Sequence, residues 1–169
     1  MTKISKIITL TALIMTAFLL MSATQAVAAT MKCRWVLSHT KVEVIKVGDV
    51  EGHIIALIDI TGLALLETGE VAVVTEWGTA DYTKGTGIHR GYERLTFEDG
   101  STIDLKYEGT TRPDPKGKGS FLKGAFVIYQ GSGRYAGIKG DGSYTGRRVA
   151  PVGVAAQLYG DMILTYTLP

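Results

Sequence analysis

The sequence predicts an all-β protein: a single small antiparallel β-barrel of about eight strands, preceded by an N-terminal signal peptide. Three observations carry that expectation. Runs rich in valine, isoleucine and threonine recur at short intervals with turn residues between them, the spacing of a barrel or sandwich. No segment keeps a helical hydrophobic period for three turns. Glycines crowd one stretch, falling at 131, 133, 137, 140, 142 and 146 between Tyr129 and Gly146. Glycine inside a strand pattern marks a bend, a bulge or a close backbone approach, which a sheet needs in order to curl shut.

Taken in order, the chain opens with Lys3 and Lys6, then an apolar run from Ile7 to Met21, then Ala26-Val27-Ala28. That is the layout of a cleavable secretory signal, so residues 1–28 are assigned to the signal and 29–169 to the barrel. An uncleaved anchor is the rival, because Ile7 to Ala29 nearly spans a bilayer; the small residues and short basic start favour removal. The expected product is exported, periplasmic or secreted, with no stable membrane insertion after cleavage. Lys32 stands where a lipoprotein signal wants a small residue before Cys33.

The chain has 18 basic and 16 acidic residues. Removing Lys3 and Lys6 with the signal leaves the mature chain formally neutral. Acidic residues concentrate before Thr110 and basic ones after it, a split that an interleaved sheet neutralises across strands. Nothing here makes the basic, aromatic face that a nucleic-acid partner requires. Cys33 is the only cysteine, so an exported fold has no internal disulfide and must stand on packing. Its expected role is a small apolar residue, with an intermolecular disulfide the lesser alternative. His39, His53 and His89 lie on separate strands without metal-ligand spacing; neither metal nor cofactor is expected.

Strand signals follow one another. Arg34 to Val47 alternates in its second half, and Gly48-Asp49 with Glu51-Gly52 makes a turn. His53 to Ile60 is nearly continuous in apolar residues, as in a strand covered on both faces. Gly62 to Leu66 reads equally as strand or helical turn, Glu70 to Trp77 as strand, and Gly78 to Gly87 as a strand end plus loop. The clearest hairpin joins His89–Glu98 to Ser101–Glu108 through Asp99-Gly100, a dipeptide suited to the type I′ turn. Arg112 to Gly119 reads as an exposed loop. Phe121 to Tyr129, Ser143 to Val149 and Gln157 to Leu168 complete the set.

Chemistry is best placed on the Asp99-Gly100 hairpin. Side chains alternate along a strand, so His89, Gly91, Glu93, Leu95 and Phe97 share one face, opposite Ile103, Leu105 and Tyr107. The other face, from Arg90, Tyr92, Arg94, Thr96 and Glu98 to Thr102, Asp104, Lys106 and Glu108, reads as solvated. Glu93, and with it His89, are the candidate catalytic residues, since a carboxyl among apolar groups has a raised pKa suited to proton transfer. The plainer alternative sets Glu93 at a rim beside water or arginine, and His89 as a satisfied rim histidine. Trp35, Trp77, Leu95, Phe97, Tyr107 and Tyr129 are the candidate ligand-lining residues, with plain core as the alternative for each. Glu76-Trp77 offers a carboxylate and an aromatic wall at one barrel end. No serine stands in a Gly-x-Ser-x-Gly setting, and no helix follows the glycine pairs to make a phosphate site.

One resemblance completes the reading. Gly131-Ser-Gly-Arg-Tyr-Ala-Gly-Ile-Lys-Gly140, with Gly142-Ser-Tyr-Thr-Gly146 after it, resembles the glycine signature of the allene oxide cyclase and dirigent-like barrels and of similar bacterial exported proteins. The resemblance spans about Phe126 to Arg148. It implies an eight-stranded antiparallel barrel, often a homotrimer, whose apolar cavity shapes a hydrophobic guest; no catalytic residue is carried over. Three functions follow as expectations: binding of an apolar small molecule in the lumen, a cyclase or isomerase in which Glu93 manages a proton, or a structural envelope barrel without ligand.

Overall fold

The computed structural model describes residues 27–169; the signal assigned to 1–28 lies almost wholly outside them. Eight strands follow in sequence: β1 Ala29–Lys46, β2 His53–Leu66, β3 Val71–Thr83, β4 Thr86–Phe97, β5 Thr102–Pro113, β6 Ser120–Ser132, β7 Lys139–Arg148 and β8 Gln157–Thr167. Each pairs antiparallel with the next, and β8 pairs back with β1 from Ala29↔Tyr166 to Ser38↔Gln157, which closes the sheet. Closure removes every free sheet edge along the paired length. No helix among the described residues is long and apolar enough to cross a membrane.

One end is packed solid. Val74, Leu95, Ile103, Leu105 and Leu164 are fully buried, and the glycine-rich stretch supplies the stopper. Its 3-10 turn, Gly133–Tyr135, lays Tyr135 against Phe97 with ring centroids 4.9 Å apart. The Arg134 guanidinium sits 4.8 Å over Phe97 and pairs with Glu70. Gly133 turns the chain at φ +60°, and a Cβ there would strike the Ser101 hydroxyl. The corner expected between β6 and β7 is therefore a plug as well.

The opposite end is built differently. A bulge between His39 and Lys41 splits β1: from Cys33 to Ser38 the strand pairs on both sides, after the bulge only with β2. The segment between β7 and β8 folds over this end, its Ala155 N–H donating to the His39 carbonyl at 2.8 Å and the His39 N–H to Ala156 O at 3.1 Å.

Several expectations need correction. The outer face of β2 is exposed at Ile55 and Leu57, so its continuous apolar run does not mean cover on both faces. Gly62 to Leu66 is strand. β3 runs on to Thr83 and turns through Lys84-Gly85, at φ 51° and 80°, so the two-residue type I′ turn lies there. The Asp99-Gly100 hairpin instead has a three-residue loop: Gly100 N–H donates to Phe97 O at 2.9 Å and only Gly100 has positive φ, a type I turn followed by a bulge. Asp104 is buried on the nominally solvated face, held by Arg94 through bonds of 2.6 and 3.0 Å.

Candidate functional site

Beneath the packed end the lumen is not filled. A cavity of about 50 Å³ lies between Trp35, Leu37, Ile58, Tyr107, Phe126 and Leu158, with Glu76, Glu93, His39, His89, Tyr82, Tyr144 and Arg148 also on its wall. A single water needs about 10–15 Å³ of such space, so the cavity admits several waters or a small guest.

Three cross-strand glycine pairs shape it. Gly78 faces Gly91, Gly109 faces Gly124, and Gly146 faces Gly160. Over each pair lies an aromatic from a neighbouring strand. A Cβ on Gly78 would lie 2.1 Å from the Tyr107 hydroxyl, one on Gly124 2.4 Å from that of Tyr144, and one on Gly146 2.4 Å from the Trp35 ring. Bare backbone thus lets large rings lie flat inside a narrow barrel. Their edges line the cavity.

Glu76 and Glu93 are direct partners in the β3–β4 ladder, and both face the lumen. Inward carboxyls directly opposite each other stand about 4.5–5.5 Å apart at Cβ. Glu93 is 7% exposed; Glu76 is partly exposed, toward the cavity that it lines. Burial raises the Glu76 carboxyl to about 7, against the pull of a hydrogen bond from Tyr107. Burial and the adjacent Glu76 charge hold Glu93 well above the usual carboxylate range. Two carboxyls that hold their protons more strongly than usual therefore face the same small space.

A second polar chain runs toward the loop-covered end. His89 Nε2 lies 2.6 Å from the Tyr144 hydroxyl and Nδ1 3.0 Å from Thr111 Oγ1; Thr111 Oγ1 in turn meets the Tyr82 hydroxyl at 2.8 Å. His39 Nδ1 lies 3.1 Å from Gly153 O, so that nitrogen carries the hydrogen. Burial, reinforced by the positive Arg148, pushes His39 and His89 each down to about 4. Both rings are neutral at physiological pH.

Of the residues expected at the site, Glu93, His89, Trp35 and Tyr107 reach the cavity wall. Leu95 and Phe97 belong to the packed end. Trp77 and Tyr129 are corrected: they are 47% and 53% exposed on the outer surface, where Trp77 pairs with Tyr92 and Tyr92 meets Tyr129 edge-on at 5.8 Å. Period-2 alternation sends Trp77 outward because Glu76 points in. Tyr129 is the extra residue of a bulge, left unpaired between Ile128↔Leu105 and Gln130↔Asp104. Cys33 is buried in the barrel interior, and burial with nearby carboxylates pushes its thiol up to about 12, so it is an unreactive core residue. Tyr82, Tyr144 and Arg148 were missed. Alternation alone puts Tyr144, Gly146 and Arg148 on one face of β7, but does not say which face is inner.

No family model matches the chain, and no curated protein does. Solved structures do. A conserved protein of unknown function from Rhodopseudomonas palustris superposes with a TM-score of 0.54 at 13% identity, covering 83% of this chain and 99% of that one. The pterocarpan synthase dirigent protein GePTS1 matches with a TM-score of 0.50 at 11% identity, over 88% and 96%. A β-barrel-like protein from Acinetobacter baumannii AYE matches with a TM-score of 0.50 at 14% identity, over 85% and 99%. The barrel has the dirigent-like fold; at these identities the likeness extends to the fold alone.

Proposed function

We propose that the barrel binds a small apolar molecule in its lumen and meets one polar group of that molecule with the Glu76–Glu93 pair. The opposed pair facing free space carries this reading. A purely structural barrel gains nothing from it, because hydrophobic residues of similar volume fill such a site without the desolvation cost of a buried carboxylate. The free space is small, so a guest of more than a few heavy atoms must displace a ring such as Tyr107 or Trp35.

The same pair supports a second reading, a cyclase or isomerase. Two adjacent carboxyls with raised proton affinity can deliver a proton at one point of a guest and remove one at another. The dirigent neighbour is named as a synthase, which is a precedent for the fold and says nothing of this chain's substrate.

We further propose that the protein is exported with residues 1–28 removed; β1 opening at Ala29, directly after the Ala-x-Ala motif, supports this. Native mass spectrometry of protein purified without detergent from the exported fraction tests these readings together. A reproducible extra mass lost on denaturation is the expected result, on a chain beginning near Ala29, and the spectrum reports monomer or trimer. A clean unliganded mass with no uptake from a hydrophobic extract refutes the binding reading. A chain retaining residues 1–28 refutes cleavage.

A further inference from the structure

Arg148 is unlike every other cation of the barrel. It is 4% exposed, points inward from the end of β7 and lines the cavity, while the other arginines described here lie at or near the surface. Among the described residues no carboxylate pairs with it, although Arg34, Arg94, Arg134 and Arg147 each have an acidic partner. Its own partners are neutral: Nε donates to Ala150 O at 2.9 Å and Nη2 to Ser120 Oγ at 3.1 Å, with Tyr82 on the same cavity wall. A guanidinium has five N–H donors, so these partners leave donors over. A buried charge without a directly paired counterion is costly. The histidines nearest to it in effect, His39 and His89, are neutral and add no competing charge.

We infer that Arg148 is the anion-reading subsite of the lumen, and that the guest is a small apolar molecule carrying one carboxylate besides the polar group met by the Glu76–Glu93 pair. This rests on the lumen-binding reading above and adds an orientation to it. The carboxylate lies at the loop-covered end against Arg148, the apolar body lies along Trp35, Leu37 and Phe126, and the far end faces Glu76 and Glu93. One planar guanidinium matches one planar carboxylate; a phosphate dianion calls for more positive charge than a single arginine supplies. The opposite end of the cavity, lined by the Glu76 and Glu93 carboxyls, offers an anion no positive partner, so a carboxylate guest is held in one direction.

The test is a matched pair of probes with the same short chain, butanoate and butanamide, titrated calorimetrically at pH 7.5 into wild type, Arg148→Gln and Arg148→Lys. Wild type is expected to bind butanoate about tenfold or more tighter than butanamide, the scale of one charge-assisted hydrogen-bond pair. Arg148→Gln is expected to bring the ratio to about one, and Arg148→Lys to keep part of the preference, since the charge stays and the fork is lost. Equal binding of both probes by wild type overturns the inference and leaves lumen binding standing, as does a preference that survives in Arg148→Gln. Binding of neither probe overturns both. Should the variants not fold, the wild-type ratio decides alone.

Discussion

The buried ionisable side chains tie the lumen to pH in two opposing ways. Glu76 and Glu93 have folded pKa values above the unfolded one, so the native state holds protons that the unfolded chain has already released. Their stabilisation is full below about pH 4.5 and is lost as pH rises through 7 and beyond. His39 and His89 have the opposite sign. Their folded values near 4 lie below the unfolded 6.5, so stability is lost as pH falls from about 6.5 toward 4. Thermal unfolding of the wild type is therefore expected to show a broad maximum between about pH 4.5 and 6.5, where the two slopes oppose each other, with only the carboxyl pair acting above it. Glu93→Gln should flatten the limb above pH 7, because it removes the carboxyl that burial and the Glu76 charge hold well above the usual range. His39→Asn keeps a donor toward Gly153 O and should flatten the acidic limb instead. A Glu93→Gln profile that falls above pH 7 as steeply as the parent's contradicts the raised carboxyl pair.

Among the elements, the glycine pairs decide how aromatic side chains fit inside eight strands. Gly146 shows it cleanly, because the atoms its added Cβ would meet first are the outer carbons of the Trp35 ring, at 2.4 and 2.7 Å. Gly146→Ala is expected to cost about 1–3 kcal/mol as overpacking, read as a lower urea midpoint with unchanged m-value. In a Trp35→Phe background, where those ring carbons are gone, the same substitution should cost clearly less, a coupling that a double-mutant cycle resolves. Equal costs in both backgrounds place the strain in the backbone rather than the ring. This architecture was only half legible in the sequence. Alternation on the β4–β5 hairpin put Glu93, His89 and Tyr107 on the correct face, and the dense glycines announced a closed sheet. Alternation could not tell inner from outer where glycines stood in for inward side chains, so β3 was cut short at Gly78. Nor did Ile55 and Leu57 look like surface. The pairing of Glu76 with Glu93 depends on the β3–β4 register, which the two-residue Lys84-Gly85 turn sets and which its flanking glycines masked. Arg148 sits across the barrel from the hairpin, and only closure brings it to the same cavity.

For the molecule as a whole, closure depends on one seam between the chain's first and last strands. Every other pairing joins strands adjacent in sequence, whereas Ala29–Ser38 must find Gln157–Tyr166 across nearly the whole domain. Contacts so far apart in sequence form late and slowly, and no disulfide holds this one. The seam also carries the lumen: Trp35 faces Gly160 across it, and Cys33 faces Met162 inside the core. A chain starting at Trp35 in place of Ala29 loses the pairs from Ala29↔Tyr166 to Arg34↔Asp161 and keeps only the four nearest the loop-covered end. That removes Met31 and Cys33 from the packed interior and leaves the β8 edge open. The expected outcome is loss of a cooperative urea transition, with the Trp35 indole becoming accessible to acrylamide; Trp77, already outside, contributes a quenchable signal in both proteins. If the shortened chain keeps a cooperative transition and a protected Trp35, the four remaining seam pairs, the other seven strands and the plug at Tyr135 suffice to hold the lumen, and the Ala29–Arg34 part of the seam is dispensable to the fold.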